Sequence, residues 1–310
     1  CFSSSIIGGS TDFTDTKNVE RPAYRAGRCA CRKGKPRSLG KQRTLRYVIR
    51  TERYGDVTRF EMASAVSRCI GYSASAYLSR GVLIDCGFPR VARGVAALLA
   101  RERPSGVMVT HHHEDHAGNA ELVARSGIPM AASPATLAAL RSPGSIRLYR
   151  RVTWGTPPPL RTPVVPFEHD DLRLIPAPGH SHDHHVVWDA STGTLFGGDL
   201  YLGVKVRIAH PGEDPRRLAR TLRAIASLGP VRLFDAHRGF VDAPASLLES
   251  KADWIDETVQ AVEARITAGL SNRAIVRELF GGESLPGYFS GGDYSRTNFV
   301  RSVRRAGSAP

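Results

Sequence analysis

The chain has 310 residues but few cysteines, methionines or tryptophans: five, three and three. Cys1, Cys29, Cys31, Cys69 and Cys86 are odd in number and thinly spread, which excludes the disulfide framework of a small secreted domain. Cys29 and Cys31 are spaced C-x-C with no matching Cys or His pair nearby, so a zinc knuckle is not expected there. No apolar run reaches the ~18–20 residues that span a bilayer. The opening CFSSSIIGGS has neither the basic stretch nor the apolar core of a signal peptide. The expectation is a cytoplasmic protein with no membrane partner. A nucleophilic Ser or Cys motif is also missing, which favours direct attack by water over a covalent intermediate.

The net charge of +14 is uneven. Residues 1–59 carry 14 Lys or Arg against 5 Asp or Glu, and the rest of the chain 29 against 24. The stretch RAGRCACRKGKPRSLGKQR has no apolar period, so residues 1–45 read as a basic, disordered arm. Such an arm attracts RNA by counterion release, or serves only as a soluble tail.

Order is expected from residue 46. RYVIRTERYGDVTRFEM is strand-like, and SAYLSRGVLIDCG reads as a hairpin around Ser79-Arg80-Gly81. Apolar spacing predicts helices over 90–103, 117–127 and 214–229, and a short one in SPATLAALR with Ser133 as N-cap and Pro134 in the first turn. Strands are expected at GVMVT, IPMAA, LRLIPA, HHVVWDA, TLFGG and VRLFDAH, and residues 142–170, rich in proline, read as a connection with few regular elements. The alternation indicates an α/β domain over 46–242, with a helical extension over 243–310 packed on it.

Against this background VTHHHEDHAG stands out: residues 111–116 are built from His, Glu and Asp alone, in a chain with only 11 histidines. Further His and Asp residues fall where strands hand over to loops: Asp85 after GVLI, His180 after LRLIPA, Asp199 after TLFGG and His237 after VRLFD. Strand ends fix loop positions and are where α/β folds build sites. His111 and His113, two apart, face one side in extended chain. With His180 they make one nitrogen-rich site; Asp115, His116 and His237 make another. Asp199 is the candidate bridge between two ions ~3.5–4 Å apart. Imidazole and carboxylate without thiolate suit two Zn²⁺ best, with Fe or Mn as alternatives. A metal site kept only for structure is usually closed and Cys-rich, which disfavours a non-catalytic nucleic-acid-binding protein. Asp85 is expected to hydrogen-bond the ligand loop rather than bind metal. His112 alternates away from the ligand face, and Glu114 is expected to be solvated or to support a ligand. His182, Asp183 and His185 read as surface loop, with Asp183 lining the pocket as the alternative. His169 and His210 are expected in solvated loops, His210 at the rim of the site. Tyr201 either packs in the sheet or points its hydroxyl at an oxyanion. In the tail, Tyr288, Tyr294, Arg296 and Asn298 either dock a helix or cap the pocket.

HHHEDH resembles the HxHxDH motif of the metallo-β-lactamase fold superfamily, and the resemblance continues in order through His180, Asp199 and His237, with Asp85 at the first motif, over roughly residues 72–240. It implies an αβ/βα sandwich with metals at one edge, and the full ligand set His111, His113, Asp115, His116, His180, Asp199 and His237. It also implies hydrolysis by a hydroxide bridging two metal ions, with Asp115 and Asp199 as catalytic carboxylates. THHHEDHAGN is similar to both glyoxalase II-like and lactamase-like endoribonuclease members. PGHSHDHH is similar to the P-G-H-T-x-D-H pattern of the latter, which also carry a helical C-terminal extension. The family pattern implies a buried, hydrogen-bonded His184. The last motif departs: where the family usually has P-G-H-G, this chain has Asp235-Ala236-His237-Arg238-Gly239. Arg238 there either binds an anionic substrate or pairs with an acid. A glutathione-binding signature is not found. His113 stands where flavodiiron members carry Glu, which disfavours a diiron redox role, and the complete ligand set disfavours the mono-iron persulfide dioxygenases. The expected substrate is a small thioester, lactone or other ester, with candidate contacts Asp183, Tyr201 and Arg238. The alternative is single-stranded RNA cut by an endoribonuclease of the lactamase-like type.

Overall fold

The computed structural model describes residues 47–306; the basic arm expected over 1–45 lies outside them. Two sheets carry the fold. The first runs β1 (Tyr47–Tyr54), β2 (Val57–Ser64), β3 (Ala74–Ser79), β4 (Val82–Ile84), β5 (Gly106–Met108) and β6 (Met130–Ala131), side by side in that order. The second has the order β11-β10-β9-β8-β7, from β7 (Leu172–Pro176), β8 (His185–Asp189), β9 (Thr194–Gly198), β10 (Arg232–Asp235) and β11 (Gly239–Val241). Pairs β4–β5, β5–β6 and β9–β10 are parallel, each joined through helices; the tight connections are antiparallel.

Alternation along the strands builds three cores. Val57, Tyr77, Val82, Ile84 and Met108 of the first sheet meet Leu172, Val187, Phe196 and Phe234 of the second, forming the layer between sheets. The next residue on each strand points the other way. Phe60, Met62, Leu83 and Val107 face helices α2 (Ala92–Glu102) and α4 (Ala120–Arg125). Val186, Trp188, Leu195 and Leu233 face α7 (Pro215–Ala226), α8 (Pro244–Thr267), α9 (Asn272–Phe280) and α11 (Arg296–Ala306). Helix, sheet, sheet, helix is therefore the layer order, and the two faces of each strand dictate it. The remaining helices are short: α1 (Ala65–Cys69), α3 (Glu114–Ala117), α5 (Pro134–Arg141), α6 (Leu148–Thr153) and α10 (Leu285–Phe289). Ser133 and Asp214 cap α5 and α7 by accepting from the Thr136 and Arg217 amides, with Pro at the first helical position in each.

Three local expectations change. The helix expected over 117–127 is split into α3 and α4 at Gly118 and Asn119, because the motif itself turns before the chain reaches the outer layer. The proline-rich segment contains a helix, α6, whose Arg150 is recruited by a buried acid described below. Beyond His237 the chain adds an edge strand, β11, antiparallel to β10. Among the described residues no helix is long and apolar enough to cross a membrane.

Phe234 is fully buried between the sheets and contacts the rings of Tyr54, Tyr77, Phe196 and Phe240. Phe234→Ala should cost about 3–5 kcal/mol, read as a lowered urea midpoint by circular dichroism. A loss below about 1 kcal/mol would mean that this layer does not hold the sheets together.

Candidate metal centre

Strands β4, β5, β7, β9 and β10 all deliver their C-terminal ends to one edge. Asp85 follows β4, residues 109–116 follow β5, His180 lies in the loop after β7, Asp199 follows β9 and His237 lies just past β10. Seven donor residues converge there in two groups: His111, His113, His180 and Asp199, then Asp115, His116 and His237, the donor atoms of each group lying within 4.8 Å of one another.

The first group aims three nitrogens inward. His113 Nδ1 lies 3.0 Å from His111 Nε2 and 3.2 Å from His180 Nε2, which is 3.3 Å from Asp199 Oδ2. In the second, His116 Nε2 and His237 Nε2 each lie 3.2 Å from Asp199 Oδ1, and His237 Nε2 lies 3.4 Å from Asp115 Oδ2. Asp199 thus turns one oxygen to each group. Nitrogen and oxygen ligands at ~2.0–2.1 Å around a tetrahedral ion would be roughly 3.3–3.4 Å apart, close to these separations. His116 Nε2 and Asp199 Oδ1 are buried and have no hydrogen-bond partner. Orphaned polar atoms of this kind are costly unless something binds them, and a cation fits both.

Electrostatics agree. Burial, reinforced by neighbouring histidines, holds His111 and His113 well below the ordinary imidazole pKa, leaving their lone pairs available. At His116 and His237 burial opposes charge, yet Asp199 and Asp115 raise both rings well above it. The carboxylates thus create a potential that favours added positive charge, which a divalent ion supplies.

The outward nitrogens of four of the five imidazoles face other groups, as those of metal-binding rings usually do. His116 Nδ1 donates to Asp85 Oδ2 (2.8 Å), His237 Nδ1 to the Ser73 carbonyl (2.7 Å), and His111 Nδ1 lies 3.0 Å from Thr110 Oγ1. His180 Nδ1 is 3.4 Å from Glu213 Oε1. Asp85 also accepts from the Thr110 amide (2.8 Å) and hydroxyl (3.0 Å), and it does so from a left-handed backbone, φ 61°, that aspartate tolerates better than most residues. His184, fully enclosed, donates from Nδ1 to the Ala177 carbonyl and accepts the Asp199 amide on Nε2 (3.1 Å); burial and His180 push its pKa down to about 3, consistent with a neutral ring. Gly198 lets these groups close in, since a Cβ there would meet His184 Nε2 at 2.9 Å and Thr110 at 3.0 Å.

Other candidates fall elsewhere. Asp183 is buried, not in a surface loop, and does not line the cavity: it accepts from the His112 amide (2.9 Å), lies 2.8 Å from His112 Nδ1, and takes the Thr136 and Ser181 hydroxyls (2.9 and 2.8 Å). With its oxygens engaged inside the protein, it braces the motif loop and offers nothing to a substrate. Tyr201 packs its ring in the core against α7 and α8, so it too leaves the substrate-contact set. Arg238 is exposed beside His237, and its guanidinium donates to the Leu202 carbonyl rather than to an acid. Asp235 accounts for the altered last motif: one oxygen accepts the His237 and Arg238 amides, the other the Leu202 amide (2.7 Å).

Arg150 and Lys251 were not foreseen, and for Glu114, His210 and Tyr294 the structure selects among the readings the sequence left open. Glu114 is buried and forms a two-point pair with Arg150 of α6, whose Nη1 reaches His210 Nε2 (2.9 Å). His210, its ring 5.9 Å from that of His113, rims the site instead of standing in solvent, and it touches Asp293 of the tail. Tyr294 lines a cavity beside His180 and Asp199, whereas Tyr288 is exposed, and Arg296 and Asn298 bond backbone carbonyls of the tail and its neighbours. Lys251 of α8, 2 % exposed, donates to the Leu200 and Tyr201 carbonyls immediately after Asp199. Its signal was legible: a lysine within the buried stripe Leu248, Ala252, Ile255, Val259.

Residues 73–237, just over half the chain, match the profile of the Metallo-beta-lactamase superfamily. The chain belongs to that superfamily. A curated relative, the "Beta-lactamase-like protein 2 homolog" of Caenorhabditis elegans, is 23 % identical over 199 residues, 59 % of this chain and 64 % of the relative, so the match spans less than two thirds of that protein. Among solved structures, a metallo-beta-lactamase family protein from Thermus thermophilus superposes with a TM-score of 0.53 at 17 % identity, covering 86 % of this chain and 95 % of that one. VMB-1 superposes with a TM-score of 0.50 at 16 % identity, covering 67 % and 97 %. At such identities these likenesses establish the αβ/βα fold.

Asp85→Ala should weaken metal binding about 10–100-fold, the usual effect of losing a ligand's hydrogen-bond partner, measured by chelator competition; unchanged affinity would show that His116 is positioned without it. Glu114→Gln, which strands a buried guanidinium, should cost about 3–5 kcal/mol of stability, measured by urea unfolding. A cost near zero would mean Arg150 finds solvent or another acid.

Proposed function

We propose that the protein is a metallo-hydrolase that holds two divalent ions, Zn²⁺ by its donor set, and cleaves a thioester, lactone or other ester. The observation that carries this is Asp199, whose two oxygens face the two donor groups separately. A carboxylate so placed could serve both donor groups at once, which supports two ions over one. The donors are nitrogen and oxygen only, the preference of Zn²⁺ with Fe or Mn as substitutes. Bound there, the ions would lower the pKa of water toward neutrality and polarise the scissile carbonyl.

The chain's own residues supply the rest. Asp115, only 9 % exposed and 3.4 Å from the ring of half-buried His237, carries a carboxylate that could orient attacking water and accept its proton. Asp85, Ser73 and Glu213 fix three imidazoles, so the ligand atoms need no reorganisation as charge develops. His184 holds the Asp199 backbone, and through it the bridge. Tyr294 and the C-terminal helices wall the space beside His180 and Asp199. A walled space of this kind supports a small acyl substrate over an RNA strand, which needs an open basic groove.

The test is turnover by zinc-loaded protein on a panel of thioesters, lactones, esters and short single-stranded RNA. Acid release should vanish on chelation and fall by about 10²-fold or more in Asp199→Asn. RNA cleavage without acyl turnover would replace this reading with the endoribonuclease one.

A further inference from the structure

The cavity beside the metal ligands is narrow, with about 30 Å³ of room for the centres of water-sized spheres, and it opens to solvent. His180 and Asp199, two of the seven donor residues, form one part of its wall, so the cavity borders the donor cluster on the Glu213 and Lys251 side. The rest is chiefly apolar, as small-molecule sites usually are. Leu202, Val206 and Ile208 come from the loop between β9 and α7, Leu218 from α7, Ile255 from α8 and Phe299 from α11. The two charged side chains besides Asp199 already have protein partners. Glu213 accepts the His210 amide (3.1 Å) and faces His180 Nδ1, while Lys251 donates to the Leu200 and Tyr201 carbonyls. A charged substrate group in this space would lose water without gaining a dedicated counter-charge. An aliphatic chain has no such loss and gains apolar contact along the walls.

We propose that this cavity receives the unbranched aliphatic chain of a neutral acyl group, and that Val206, Ile208, Ile255 and Phe299 determine the chain length accepted. The proposal rests on the ester-hydrolase reading above and deepens it to a substrate class. The walls supplied by α8 and α11 make the C-terminal extension a specificity element as well as a covering layer.

The experiment compares kcat/KM of the zinc-loaded protein on p-nitrophenyl acetate, butyrate, hexanoate and octanoate, and on the adipate monoester. In parallel, binding of butyrate, hexanoate and adipate ions is followed by thermal shift, which registers a ligand whether or not turnover occurs. Rates should rise about fourfold per added methylene until the cavity is filled and then fall. Hexanoate should stabilise the protein more than butyrate or adipate. Val206→Phe should shift the optimum to a shorter chain and cut the hexanoate-to-acetate ratio about tenfold. If that variant fails to fold, Ile208→Ala should move the optimum to a longer chain. A flat chain-length profile would overturn the proposal, as would an optimum unmoved in a folded variant. Preference for adipate over hexanoate would also overturn it and turn the third N–H of Lys251 toward a substrate carboxylate. No ester turnover but chain-length-dependent carboxylate binding would sink the hydrolase reading and leave the cavity assignment standing; neither turnover nor binding would sink both.

Discussion

Six of the seven candidate ligand side chains turn ring nitrogens or carboxylate oxygens toward one another across little more than 3 Å, and two of those buried atoms, His116 Nε2 and Asp199 Oδ1, have no hydrogen-bond partner. That crowding of buried polar atoms, which a cation would relieve, is the constraint on which the rest of the edge depends. Three of the five rings are held from behind by acceptors on different elements: Asp85 after β4, Ser73 before β3, Glu213 before α7. The hydrogen bond from Tyr77 to the Asp235 carbonyl (2.6 Å) and that from the His185 amide to the Thr110 carbonyl (2.8 Å) tie the two sheets together beside the site. The sandwich is therefore the frame that holds unfavourable neighbours in place, and its cores supply the stability that the polar edge does not.

What could be read in advance follows from what kind of signal each feature leaves. The ligands are side-chain chemistry at strand ends, and both strand ends and histidines are visible in a sequence. The split into His111, His113, His180 on one side and Asp115, His116, His237 on the other follows from chain spacing plus the turn after His113. Ser73 acts through a carbonyl, which every residue has, so nothing in its identity marks it. Glu114 and Arg150 are 36 positions apart and meet only because α6 folds over the motif, inside a proline-rich segment whose composition argues for irregular chain. Asp183 was misplaced for a related reason. Polar loops between histidines usually face solvent, and only the fold shows that this one turns inward to brace His112.

The part of the site hardest to foresee is the part the tail contributes. Asp293 accepts from the Tyr149 hydroxyl (2.8 Å), touches His210 and pairs with Arg147, while Arg150 bridges His210 to Glu114 within the metal-binding motif. A chain of polar contacts thus runs from residue 114 to residue 293, crossing α6 on the way. Burial and Arg150 both lower His210 below the ordinary imidazole pKa, which suits an acceptor for the Arg150 N–H.

Lys251 makes the same link from the other side. Burial lowers its pKa to about 8, so taking the ammonium out of water is a real cost, and the return is two backbone carbonyls fixed directly after Asp199, the proposed bridge. An apolar residue at that position in the buried stripe of α8 would pack as well and leave those carbonyls without this donor, a penalty of about 1–3 kcal/mol for each group left unsatisfied. The charge is therefore explained by the loop it holds rather than by the helix it sits on. The C-terminal helices also contribute to the walls of the cavity at the same place, so the layer that buries the outer face of the second sheet is also the layer that completes the metal edge.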